Sequence, residues 1–518
     1  MKSNAHSCFE TRPLVAWLHR AALLALSIYF RSPVLLNAQG LNSDVAVVGL
    51  QATHLRAGEW SPFLWGSGYQ SSVDGLVAAL WFALFGATPW ALLASALAMH
   101  IALTFAVHAL LLKRIGLWAA SLLSLLLVFT TPPIHSFALY PPREASLLLI
   151  VLAMVLVDRV GLSPRPRLVL ASSALLAGLA CYADPYARLL YPAWFILAML
   201  TAWDTDASTR ARAKHAMQLT AYALLGLIPD WLLRHSAQAN AGPMGLSASV
   251  LAHNWELLWK VCGPWAFGTR PLYAPVSNYV PWQLSSALLW NARLGTALFL
   301  LGTLSGAALA WKRTIPWPVR RLGLVGAAGV YGTFVAFLCS VMVMDHFSMR
   351  YLASAFLMAP FALAPLGWLM RARLRVLLLA AGLAPYLLAA GVCGWVAFYP
   401  YFHGAIPVRD ELGQGAPDYA LQRYLAAHDI EYAMADYWAS YRLTFLYRES
   451  VVVVPKNAGE DRYKPYRDSF VAAKRVAYIY DPARSRESEE DRAASVASLG
   501  RLVSQARVGP FSVYIAER

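Results

Sequence analysis

Long apolar runs separated by short polar breaks fill the chain from residue 15 to residue 398. An α-helix rises about 1.5 Å per residue, so about 20 apolar residues cross about 30 Å of hydrocarbon. Runs near 15-34, 89-112, 115-133, 145-160, 168-186, 189-204, 216-233, 284-311, 322-343, 351-370 and 375-398 therefore predict about eleven transmembrane helices. The segment VDGLVAALWFALFG is apolar but short, and it follows a polar, ring-rich loop. It is expected to lie along the membrane as an interfacial helix. No A-x-A-like site follows the first run, which is expected to be a retained span rather than a cleaved signal.

Past residue 400 the pattern changes. SVVVVP, RVAYIYDP and FSVYIAER are short apolar stretches with strand character, APDYALQRYLAAHDI has helical spacing, and EYAMAD is strand-like. RSRESEEDRAASVASLGRLVSQA reads as one solvated helix with an acidic start. The expected organisation is an all-α polytopic membrane domain over 1-400 and a small α/β domain over 401-518.

Composition agrees: 58% of the 518 residues are hydrophobic and the mean hydropathy is +0.48, more apolar than a soluble domain allows. The net charge of +15 would suit a nucleic-acid binder, but its distribution does not. Lys113-Arg114, Arg159 with Arg165 and Arg167, Arg210 to Lys214, Lys312-Arg313 with Arg320-Arg321, and Arg371 to Arg375 sit in loops that all fall on one side of the predicted spans. The positive-inside rule makes that side cytoplasmic, together with the N-terminus. The Asp44 loop, the loops 134-144 and 234-283, the motif DHFSMRY and the tail are then outside. Cys8, Cys181, Cys262, Cys339 and Cys393 have no metal or redox spacing and read as small buried hydrophobes.

Polar groups placed at the outer mouth of a helix bundle are the candidates for chemistry. Asp44 lies just past the first span and can accept a proton from an attacking hydroxyl, or merely cap a helix. Asp74 begins the expected interfacial helix, behind Trp65 and Tyr69, whose rings can stack on a sugar or anchor at the interface. Glu144 follows Arg143 in YPPREAS, where the chain re-enters the membrane. It can assist acid-base chemistry or complement a helix N-terminus. Asp184 and Tyr186 in CYADPYARLLYP are candidate substrate contacts. Arg350 in DHFSMRY offers a bidentate fork to phosphate, with Tyr351 and His346 beside it. The ring-rich loop 234-283 is long enough to cover a site, and its Lys260 and Arg270 are candidate phosphate contacts. No histidine pair or acidic cluster has metal-ligand spacing. No cofactor is required by the sequence, and a divalent cation bridging Asp44 to another acid is the one considered.

In the order LNSDVAVVGLQA, GYQSSVDGLVAALWFALFG, the Glu144 region and MRYLASAFLMAP, roughly residues 15-400 resemble the polyprenyl-phosphate-sugar-dependent glycosyltransferases of the GT-C membrane fold, which include protein O-mannosyltransferases and lipid A aminoarabinose transferases. The resemblance implies that Asp44 is the catalytic carboxylate and that Arg350-Tyr351 bind the lipid phosphate. It implies a bacterial hexosyl- or pentosyltransferase of the cytoplasmic (inner) membrane. Such an enzyme takes a sugar from a polyprenyl-phosphate donor and passes it, with inversion, to an acceptor hydroxyl on a glycan, lipid or protein. ADYWASYRLTFLYRE in the tail resembles an outer appendage of some bacterial relatives, with no chemistry assigned to it. The rival expectation is a transporter or a flippase for a lipid-linked saccharide, which an internal repeat and midplane charges would favour.

Overall fold

A computed structural model describes residues 13-36, 38-131, 134, 143-205, 208-236, 247-269, 286-398, 417-482, 485 and 487-518. Most of the expected loop 134-144, Arg270 and the expected domain boundary at 400 lie outside these residues.

The chain is a multi-pass membrane protein. Nine helices among the described residues are long and apolar enough to cross a bilayer, from Pro13–Leu36 to Leu374–Val392. Two shorter apolar helices, Leu117–Val128 and Tyr191–Thr201, stand where the two remaining expected spans were read. The thirteen residues of Val73–Phe85 form a helix well short of a full crossing, as expected for the interfacial segment. Spans named below are α1 (Pro13–Leu36), α4 (Pro89–Ile115), α6 (Glu144–Arg159), α7 (Pro166–Ala183), α9 (Thr209–Ser236) and α12 (Trp317–Leu338).

Small residues let these helices touch backbone to backbone, the usual device where lipid removes the hydrophobic drive between helices. A Cβ on Gly178 of α7 would stand 1.6 Å from the carbonyl oxygen of Gly226 in α9. Gly326 of α12 meets the backbone of Ala362 in the same way. At one set of helix ends, Lys113, Arg114 and Arg321 all surround Asp158, two of the expected cytoplasmic clusters meeting on one acid.

The segment after the first span is not the polar loop expected from sequence. Ser43–Arg56 is a helix, α2, capped by the Asn42 side chain, which accepts from the Val45 amide at 3.0 Å. Its run from Val45 to Ala52 is buried throughout. The reason lies far along the chain. After the helix Pro417–Ala427, the strands β1 (Tyr432–Ala435), β2 (Val452–Pro455), β3 (Arg475–Tyr480), β4 (Arg501–Val508) and β5 (Phe511–Glu517) form one sheet in the order β2-β1-β3-β5-β4. β1 is parallel to β2 and to β3, and β5 is antiparallel to β3 and to β4.

The helix joining β1 to β2, Tyr437–Leu446, lies on α2. Phe445 presses on Gly49, where a Cβ would be 2.7 Å from its ring, and stacks on Phe82 at 6.1 Å. The buried Arg442 grips Asp418 by both oxygens (2.9 and 2.5 Å) and donates to the Gln39 carbonyl at 3.0 Å. One apolar cluster thus runs from Val34 and Leu50 through Leu92 to Tyr441 and Val476, so the C-terminal unit shares a core with the membrane part.

A second lock sits at the far end of α2. His54 Nδ1 meets Glu59 at 2.6 Å and Nε2 meets Glu449 at 2.8 Å. Burial would lower the His54 pKa, but the hydrogen bonds to Glu449 and Glu59 outweigh it and hold it above the ordinary value. The expectation of a single helix over RSRESEEDRAASVASLGRLVSQA is corrected. The helix covers Glu489–Ala497, Gly500 turns the chain with φ +126, and Arg501 onward is strand β4.

Candidate functional site

Asp44 stands in the first turn of α2 with its side chain 47% exposed. Its Oδ1 accepts from the Tyr437 hydroxyl and lies 3.4 Å from Arg462 Nη2. Tyr437 Oη in turn accepts from Arg462 Nε at 3.0 Å. Burial, and the charge of Asp44 beside it, push the Tyr437 phenol well above its usual range, so it remains a donor. Sequence reasoning missed both partners. They lie 393 and 418 residues away in a unit to which no chemistry was assigned.

A short loop carries the site onward. Arg462 Nη1 donates to the Gly66 carbonyl at 2.9 Å. Gly66 has φ +62, and a Cβ there would lie 2.7 Å from Arg462 Cα, so this close approach needs glycine. At the other end of the loop, Gln70 donates to Asp184 Oδ2 at 2.9 Å, and Arg143 Nε donates to the same oxygen at 3.2 Å. The Arg143 guanidinium lies over the Tyr186 ring at 5.0 Å. The Tyr186 hydroxyl is shared among the Ser354 amide (2.7 Å) and the carbonyls of Arg350 (3.2 Å) and Tyr351 (3.3 Å). Arg350 leans over the Tyr351 ring at 5.1 Å and donates to its hydroxyl at 3.2 Å.

Tyr69, half open to solvent, is the centre of this arrangement. Partial burial, then the charge of Asp184, raise its pKa, while Arg143 and Arg350 pull it down. Arg462 at Gly66 and Arg143, through Asp184 and Gln70, thus hold the two ends of one loop.

Several expected contacts are placed otherwise. Asp184 and Tyr186, read as substrate contacts, are buried among protein partners and position Arg143 and Arg350 instead. Trp65 is stacked on Tyr463 at 4.0 Å with His54 against its edge, so protein covers the ring expected to meet a sugar. Lys260 pairs with Glu256 at 2.8 Å on an exposed helix face, where an ion pair contributes little. The loop around it is helical over Ala248–Ala266, and Cys262 contacts the Asp345 carbonyl at 3.4 Å, beside the Arg350 segment. His346 begins the short 3-10 segment His346–Leu352, with its side chain outside the described residues.

Glu144 is fully buried. Its Oε1 meets His100 Nδ1 at 2.8 Å, and His100 Nε2 lies 2.7 Å from Arg31, which donates to the Leu127 and Val128 carbonyls at 3.0 Å. Arg31 and His100 were not singled out, although a charge inside an apolar span is itself a signal. Glu144, His100 and Arg143 line a small cavity with Thr130 and Phe356. Asp74 is next to this network, its Oδ1 accepting from the Ala145 amide at 3.2 Å and its Oδ2 buried with no partner. Burial raises its pKa to about 7. Among the described residues no three His, Cys, Asp or Glu side chains gather as a metal-binding group.

The chain is similar in structure to ArnT from Cupriavidus metallidurans bound to undecaprenyl phosphate. The TM-score is 0.56 at 14% identity, covering 97% of this chain and 98% of that one. An oligosaccharyltransferase from Archaeoglobus fulgidus in the apo form matches with TM-score 0.47 at 11% identity, covering 90% of this chain and 70% of that one. No family model matches the sequence, and no curated protein matches it.

Proposed function

We propose, from the premise of a GT-C fold shared with ArnT, that this chain is an inverting glycosyltransferase using a polyprenyl-phosphate-linked sugar. The observation that carries the reading is the part-exposed Asp44, joined through Arg462 to the Gly66 loop, whose Gln70 shares Asp184 with Arg143. In this reading an acceptor hydroxyl approaches Asp44. Its oxygen attacks the anomeric carbon while its proton passes to the carboxylate, and the bond from that carbon to the phosphate oxygen breaks with the electron pair leaving on phosphate. The phosphate gains charge as the bond breaks, so fixed guanidinium groups stabilise the transition state more than the ground state. Arg350 with Tyr351 is the principal phosphate ligand. Arg143, held by Asp184, adds positive potential. Asp74 and Glu144 lie behind these groups and support them from the interior.

The reading places residues 1-400 as the transferase unit in a bacterial cytoplasmic membrane, with the N-terminus inside and residues 401-518 outside. The meeting of basic clusters at Asp158, away from Asp44, supports that orientation. The donor sugar is a hexose or pentose.

The test is transfer of radiolabelled sugar from synthetic polyprenyl-phosphate sugars by purified protein in liposomes. Asp44→Asn should lower turnover by about 10²–10⁴-fold, the usual worth of a general base, while the protein keeps its fold. Turnover in that variant equal to wild type would remove Asp44 from the role.

A further inference from the structure

The parallel strands of the C-terminal sheet point their carboxyl ends at the membrane site. Tyr437 opens the helix that leaves β1, and Arg462 sits in the segment that leaves β2. In open α/β sheets this edge is where loops meet ligands. Here both loops reach Asp44.

The Asp44–Arg462 contact is built to be exchanged. At 3.4 Å it is longer than a close charge-assisted hydrogen bond, and both side chains are partly open, at 47% and 32% exposure. Arg462 is anchored independently by its bonds to the Gly66 carbonyl and to Tyr437, so losing Asp44 does not release it. The Gly66 loop it holds is the loop whose Gln70 shares Asp184 with Arg143. While Arg462 and Tyr437 both point at Asp44 Oδ1, that oxygen is occupied.

Resting on the reading above, we propose that Arg462 is a phosphate ligand supplied by the C-terminal unit. Its Nη2 faces Asp44 in the empty protein and turns to the phosphate oxygens of an arriving polyprenyl-phosphate donor, while Nε and Nη1 keep their bonds to Tyr437 and Gly66. Without its neighbouring cation the carboxylate is a stronger base, so it is readied for the acceptor's proton when the donor is in place. The tail thus contributes directly to the site, and donor binding precedes acceptor activation.

The experiment is binding of radiolabelled polyprenyl phosphate to the full-length protein in nanodiscs, with melting temperatures recorded for every variant. A hydrogen bond to a charged group is worth enough that Arg462→Gln should weaken binding about tenfold or more, with Arg462→Lys between the two. Asp44→Asn should bind several-fold more tightly than wild type, because Arg462 no longer has to leave a carboxylate. Part of that gain is simply lost repulsion between Asp44 and phosphate, so the double variant decides: with Arg462→Gln added, the gain from Asp44→Asn should shrink, whereas a merely structural Arg462 leaves it unchanged. Wild-type affinity in a folded Arg462→Gln, or an undiminished gain in the double variant, overturns the inference alone. Should Arg462→Gln not fold, the same pair of comparisons is made with Arg462→Lys. Absence of binding by the wild type overturns the lipid-phosphate reading and this inference with it.

Discussion

Asp74 is the residue whose environment departs furthest from its chemistry as read in sequence. An aspartate at a helix start was expected to act as a cap or a site. The fold instead seals it away from water, gives one oxygen the Ala145 amide and leaves the other alone. Its folded pKa of about 7 lies above the unfolded value of 3.8. Between those values the folded protein binds the extra proton, so stability falls as pH rises through that window and the penalty is complete above about pH 7. Asp74→Asn carries no such charge. It should raise the melting temperature over wild type most at pH 8, clearly less at pH 5, and little below pH 4. An equal shift at every pH would mean that Asp74 is not titrating. Asp44, by contrast, was legible at once as an acid beside a span. Its partners Tyr437 and Arg462 were not, because nothing local marks two residues about 400 positions away as neighbours.

Among the elements, the spans were readable because a run of apolar residues has one outcome in lipid. Helix α2 was not. Its apolar VAVVGL looked like part of a polar loop because its cover comes from Tyr437–Leu446, in another part of the chain. The two elements are also joined through His54, Glu59 and Glu449, with Tyr463 donating to Glu59 at 2.7 Å and Tyr466 donating to Glu449. The raised His54 pKa contributes stability that is full below 6.5 and lost as pH rises through the folded value. The hydrogen bonds from His54 and Tyr466 hold Glu449 below 4.5 against burial. Those from His54 and Tyr463 do the same for Glu59. Their contribution is lost as pH falls through those lowered values. The lock is therefore strongest between about pH 4.5 and 6.5. Hydrogen exchange of α2 should accelerate as pH rises beyond that window, after correction for intrinsic rates, and His54→Gln should flatten the rise. The same slope in both proteins would exclude His54.

For the whole molecule, the expected pairing of a membrane bundle with an α/β tail is found, but the tail is not an appendage. Its core is continuous with that of the helices Ser43–Arg56 and Val73–Phe85, and Phe445 fills the contact at Gly49 and Phe82. Phe445→Ala removes a buried ring and leaves a cavity, which costs about 3–5 kcal/mol in a packed core. The expected result is a lower melting temperature together with release of residues 417-518 to limited proteolysis. A variant that melts lower with that unit still protected would show that Phe445 stabilises the tail internally and does not hold it down. Periodicity reveals that such a unit exists, but what it docks against depends on surface shape, which no periodicity encodes.

The 418 positions between Asp44 and Arg462 are also an interval of time. At about 5–20 residues per second, a ribosome needs about 20–80 s to travel from one to the other. Throughout that interval α2 has no lid over its valines, and the carboxylate has neither of its two donors. The earliest part of the chain must wait for nearly the last before the contacts around Asp44 are complete, so an incompletely synthesised copy is left without them.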